Sequence, residues 1–177
     1  MLLSIQQRYI LEVLRKLGCV RQDQLHALVR GKFQSPNFEI NDIRMAAMLR
    51  QLRSGLGDFR MDGDFVYLAR GQPDVSRLEA IDVMLELSGG APKDFTVRTE
   101  NPRLLRFDLG GDNLKLFSVA LLVHTSDPQL IQRERSERVV WINKSGIPPE
   151  GLVLPPKHFF AARQTDGSHR FYGSNGP

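Results

Sequence analysis

Arg44, Arg50, Gln51 and Arg53, followed by Arg60, are the side chains of this chain best fitted to act on something outside it. Guanidinium and carboxamide groups donate hydrogen bonds in planar pairs. They suit phosphate oxygens and the acceptor edges of nucleic-acid bases, where a good paired contact discriminates by about 1–3 kcal/mol. Spacing decides whether these groups can act together. Across Asn41–Leu56, Met45, Met48, Leu49, Leu52 and Leu56 recur at three and four residues, which predicts a helix with one apolar stripe. Arg44, Ala47, Arg50, Gln51 and Ser54 fall on the other side, and Arg53 falls nearer the buried edge. Arg44, Arg50 and Gln51 are the expected groove contacts; Arg53 and Arg60 are the expected phosphate contacts.

The elements around this helix follow from the same reading. Ser4 with Gln7 fits a capping box opening a first helix to Leu17, with Ile10, Val13, Leu14 and Leu17 inward. Gly18 ends it, and Cys19-Val20-Arg21 links it to a second helix over about Gln22–Val29. Gly31–Pro36 reads as a loop, and the third helix starts at Ser35-Pro36 or at Asn41. Gly55 and Gly57 stop that helix. Met61-Asp62-Gly63-Asp64 carries the Asp-Gly signal of a tight hairpin. Three helices and then a hairpin is the order of a winged helix-turn-helix. Arg8 and Lys16 on the first helix are further phosphate candidates.

Charge distribution agrees with this placement. The net charge is +4; residues 1–70 hold 11 Lys and Arg against 7 Asp and Glu, and the remainder holds 13 of each. A local basic excess attracts polyanions, although exposed arginines also serve simply to solvate a helix face. The single cysteine, Cys19, excludes an internal disulfide and fits a reducing cytoplasm. No stretch approaches the roughly 18 apolar residues of a membrane span, and the first residues lack the pattern of a signal peptide.

Arg70-Gly-Gln-Pro-Asp-Val75 separates residues 1–70 from a second unit over 75–177. Asp74 caps a helix to about Leu87, apolar on a broad face. Strands follow at Phe95–Arg98 and Leu104–Asp108, then a turn at Gly110–Asn113. Leu114–Val123 is almost wholly apolar, as in a central strand buried on both faces. A charged helix over Asp127–Glu137, with Leu130 and Ile131 inward, leads to a strand at Arg138–Asn143, in a parallel crossover. His158–Arg163 and His169–Tyr172 read as the arms of a hairpin. The fold class is therefore α+β: a winged helix-turn-helix, then a small α/β unit in αβββαβ order.

That order resembles restriction-endonuclease-like folds. The resemblance implies an acid on the second core strand and an acid-x-Lys pair on the third, together holding a divalent metal. Asp108 stands at the first place, but Lys115 has Asn113 two residues before it, and Asp112 lies in the turn. The metal set is incomplete, so the kinship implied is to an inactive relative, and Asp108 reads as a turn residue. His26, His124, His158 and His169 form no ligand pair. His26 reads as exposed, His124 as a hydrogen-bonded strand end, and Cys19 and Trp141 as core. Gly110-Gly111 lacks the features of a phosphate loop.

The whole layout resembles the replication-relaxation proteins of plasmids and conjugative elements, most closely at Leu49-Arg-Gln-Leu-Arg-Ser-Gly-Leu-Gly57 followed by Phe65-Val-Tyr-Leu68. It implies a cytoplasmic, non-enzymatic protein that binds double-stranded DNA in the replication, transfer or regulation of a mobile element. No cofactor, metal or small-molecule ligand is expected. The second unit would dimerise or hold a partner. Two rivals remain: a protein–protein adaptor docking through its winged helix, and a metal-dependent nuclease with a displaced acid.

Overall fold

The computed structural model describes residues 2–110 and 115–173. They form a mixed α and β structure with two sheets. Helix α1 (Ile5–Leu17) opens on the expected capping box and buries Ile10, Leu11, Val13, Leu14 and Leu17. Gly18 closes it at φ 80°, its N–H bonded to Leu14 O. The link to the next helix is itself a strand, β1 (Cys19–Arg21). Helix α2 (Gln22–Phe33) runs past Val29 and through Gly31, where a loop was expected. The glycine is there for packing: a Cβ on Gly31 would sit 2.1 Å from the Gly90 carbonyl oxygen.

Of the two possible starts for the third helix, Asn41 is the one used. Its side chain accepts from Arg44 N–H, and α3 runs Asp42–Gly55. Met45, Leu49 and Leu52 face inward. Strands β2 (Phe59–Asp62) and β3 (Phe65–Leu68) then turn at Gly63, φ 54°. With β1 they make a three-stranded antiparallel sheet in the order β1-β3-β2.

Asp74 caps helix α4 (Val75–Ser88), which packs on two sides as its broad apolar face requires. One side meets α2 and β1; the other lies on the second sheet. That sheet comprises β4 (Asp94–Val97), β5 (Arg103–Asp108), β6 (Leu116–Leu121), β7 (Arg138–Ile142), β8 (His158–Arg163) and β9 (His169–Tyr172), in sequential order. Pairing is antiparallel from β4 to β6, parallel from β6 to β8, and antiparallel again at the β8–β9 hairpin. β6 is internal and buried on both faces. Val119 joins the core that continues from α1 through α4 to Ala161. Ala120 joins a second cluster with Trp141 and Phe160. The turn expected over Gly110–Asn113 lies outside the described residues from position 111 onward.

A further element departs from expectation. Asp127–Glu137 is not a helix: a 3-10 turn, Pro128–Leu130, gives way to irregular chain, and Leu130 is exposed. The segment has two adjacent apolar residues and no recurring stripe to bury. Its acids are drawn onto the sheet instead, Glu134 to Arg106 and Glu137 to Arg103. The order after α4 is thus three strands, a short turn and three more strands, without the second helix of αβββαβ.

The two sheets are joined by polar contacts across α2 and α4. Arg21 donates to both oxygens of Asp82 at 3.1 and 2.6 Å. Buried Gln24 donates to Leu78 O at 2.7 Å and to Asp82 at 2.8 Å.

A second polar set ties α4 to the terminal hairpin. His169 Nδ1 lies 2.7 Å from Glu86, and its Nε2 faces Glu79 at 3.5 Å. Arg163 also donates to Glu79, at 3.2 Å. Burial opposes a charge on His169, but the two carboxylates outweigh it and hold its pKa above the ordinary 6.5. A raised histidine stabilises the fold while protonated; that share is complete below about pH 6.5 and is lost as pH climbs through the folded value. In urea unfolding at constant ionic strength, the stability advantage of the wild type over His169→Asn is expected to shrink as pH rises above about 6.5, while buried His158, whose pKa burial lowers, tilts both curves the other way. An identical slope in the variant rejects this account.

Candidate nucleic-acid interface

Helix α3 offers a polar face because its apolar stripe, Met45, Leu49 and Leu52, is buried in the core and packs toward β2. Arg44, Arg50, Gln51, Arg53 and Ser54 are all exposed. Ala47, Arg50, Gln51 and Ser54 line a shallow, open depression on the surface. Arg53, expected nearer the buried edge, is exposed and does not line that depression.

The expected contact residues are not equally available. Arg44 folds back, donating to Glu39 O at 3.1 Å with its guanidinium 4.5 Å above the Phe38 ring. Arg60 bends toward the carbonyls of Gly57 and Phe59. Each keeps donors to spare, because a guanidinium has five. Among the described residues, no carboxylate pairs with Arg50 or Arg53. Arg8 is exposed on α1. Lys16 is not a free phosphate contact: it pairs with Asp94 at 2.8 Å and Glu12 at 3.0 Å. The hairpin exposes Asp58, Asp62 and Asp64, so positive charge is concentrated on the helix and at the hairpin's base rather than at its tip.

The entry to α3 is held by a residue that the sequence reading left on the surface. His26 is half-buried, with Nε2 3.0 Å from Ile40 O and Nδ1 3.0 Å from Asp42. Asp42 is the acid nearest the start of the helix, and this contact turns it toward α2. Gln7 is the other residue missed. Its spacing from Ser4 announced a cap, but nothing in the sequence announced that its amide would also reach Gln51, at 2.8 Å.

Asp108 accepts from Gly110 N–H, the turn role expected of it. Asp112 and Asn113 lie outside the described residues. Among the described residues, no group of three or more His, Cys, Asp or Glu side chains is arranged to hold a metal ion. Trp141 is core, its Nε1 donating to buried His158 Nδ1 at 3.0 Å. Cys19 is buried, and burial pushes its thiol pKa up. His124 is exposed beyond the end of β6. A polar depression on the half that holds the second sheet is ringed by Arg98, Arg103, Arg106 and Arg133 with Glu100, Glu134 and Glu137, and three of its arginines are already engaged with the chain.

No family model matches the chain, and neither a curated protein nor a solved structure matches it. Among the described residues no helix is long and apolar enough to cross a membrane.

Proposed function

We propose that this chain binds duplex DNA without catalysing a reaction, using α1–α3 and the β1-β3-β2 sheet as a winged helix-turn-helix. In this reading α3 enters the major groove, Arg50 and Gln51 meet base edges, and Arg53 and Arg60 hold phosphates. Arg44, stacked on Phe38, supports the start of the helix and reaches the groove with its remaining donors. The observation that carries the proposal is that one helix, α3, presents Arg44, Arg50, Gln51 and Arg53, all exposed, with no carboxylate paired to any of its three arginines among the described residues. Single exposed cations without an acid partner also occur elsewhere among the described residues, as at Arg15, Arg30 and Arg170. A role in the replication, transfer or regulation of a mobile element rests on the resemblance of layout alone.

Salt dependence tests the proposal. With the two phosphates held by Arg53 and Arg60 neutralised, the logarithm of affinity for duplex DNA is expected to fall with the logarithm of salt at a slope of about −2. Fluorescence anisotropy on a labelled duplex between low and moderate salt reads this directly. A flat response, or no binding at low salt, points to the protein-docking rival. Plasmid cleavage in magnesium or manganese that Asp108→Ala abolishes would establish the nuclease rival.

A further inference from the structure

Gln51 stands on the exposed face of α3, but its amide is not free to turn. Gln7 is the N3 residue of α1. The Ser4 backbone N–H donates to Gln7 Oε1 at 2.9 Å, and Gln7 N–H donates to Ser4 Oγ at 3.1 Å. A backbone N–H can only donate, so the oxygen of the Gln7 amide must face it. The Gln7 nitrogen is thereby directed at Gln51, donating to Oε1 at 2.8 Å. Gln7 is 4% exposed, so water has little access to compete for these bonds. The backbone of a helix N-terminus thus fixes, through one buried amide, which end of Gln51 is occupied. The Gln51 oxygen is held at Gln7 with one of its two lone pairs used, while its NH2 group has no partner among the described residues.

This orientation bears on base choice. The paired contact from glutamine to adenine uses both ends of the amide: the oxygen accepts from N6 while the nitrogen donates to N7. The Gln51 oxygen is held toward α1 and keeps one lone pair, so the end left wholly free to meet a base is the NH2, a pair of donors. Guanine, with O6 and N7 both accepting in the major groove, is the base whose edge answers donors alone. We infer that Gln7 is a positioning residue that fixes the Gln51 amide, so that the base facing Gln51 is read as guanine rather than adenine. The inference rests on the DNA-binding reading above and adds to it a specific base preference and the residue that sets it.

The test is selection of bound duplexes from a randomised pool, followed by sequencing, for the wild type, Gln51→Ala and Gln7→Glu. Glutamate at position 7 keeps the capping box, since Ser-x-x-Glu is its commonest form, so the variant is expected to fold. A carboxylate cannot donate, so Gln51 must turn its nitrogen toward Glu and its oxygen outward. The outward group then becomes an acceptor, suited to adenine N6 or cytosine N4. At the position whose preference disappears in Gln51→Ala, the wild type is expected to favour guanine over adenine by about tenfold, and Gln7→Glu to reverse that order. Any general weakening by the added charge divides out of the ratio. A merely structural Gln7 would lower affinity without changing the preferred base. Adenine at that position in the wild type, guanine retained in Gln7→Glu, or no position that responds to Gln51→Ala overturns the inference while leaving DNA binding intact. If the wild type enriches no duplex at low salt, the DNA-binding reading itself falls, and this inference with it.

Discussion

Replacing Arg50 and Arg53 together by alanine is expected to weaken duplex binding by about 100-fold at moderate salt, taking one base contact and one phosphate contact at about tenfold each. The single variants should differ in kind. Arg53→Ala is expected to lower affinity for all duplexes alike and to reduce the salt slope by about one. Arg50→Ala is expected to relax preference at one base position while changing the slope less. Both residues are exposed and unpaired, so the fold should lose no more than about 0.5 kcal/mol. Lys16→Ala is the informative control. It removes the same unit of charge, but from a side chain already neutralised by Asp94 and Glu12, and its effect on binding should stay within about twofold. Salt titrations of the wild type and the four variants, on the preferred duplex and on duplexes substituted at single positions, separate these outcomes. Equal losses for Lys16→Ala and Arg53→Ala would mean that net charge, and not the α3 face, holds the DNA.

The sequence announced α3 through its periodicity. The three-and-four stripe points to one helix whose polar side is what remains. Asn41 was one of two possible starts, and the glycine stop is not used as expected, since Gly55 is the last helical residue and the cap is Leu56 in extended conformation. Local signals likewise marked α1, α4, the Asp-Gly hairpin and the two arms of the terminal hairpin. What the sequence hid was set by partners distant along the chain. β1 is three residues long, too short for a pattern, and exists because Cys19–Arg21 pairs with Phe65–Tyr67. Gly31 looked like a loop signal because its close approach to Gly90 leaves no local trace. The engagement of Lys16 by Asp94, and of Gln51 by Gln7, joins residues 78 and 44 positions apart. Spacing says which face a side chain occupies; it does not say which side chains on that face are still free.

The stretch after Pro128 fails as a helix for a related reason, and its replacement makes the largest stability prediction. Glu137 is 2% exposed. Its carboxylate accepts from Arg103 Nε and Nη2, both at 3.1 Å, from Glu134 N–H at 2.9 Å and from the buried Ser118 hydroxyl. Ser118 sits mid-strand in β6, where its apolar neighbours would otherwise leave a hydroxyl without a partner. Glu137→Ala strands that hydroxyl, the Glu134 N–H and a largely buried guanidinium at once. The expected loss is about 3–5 kcal/mol by urea unfolding, because an unpaired buried charge costs far more than the intact pair contributes. Combining Glu137→Leu with Arg103→Met should recover much of that loss, since neither charge is then left alone. Titration supplies an independent check. Burial opposes the charge on Glu137, but the Arg103 guanidinium and the hydrogen bonds from Ser118 and Glu134 N–H outweigh it, holding its pKa below the ordinary 4.5. The stabilisation is therefore complete above about pH 4.5 and is lost as pH falls through the depressed value. Glu137→Gln, which keeps the shape but cannot ionise, should remove that share of the acid slope. If Glu137→Ala costs less than about 1 kcal/mol, the ordinary value of a neutral hydrogen bond, then the irregular segment is held by its backbone alone and the missing helix needs another cause.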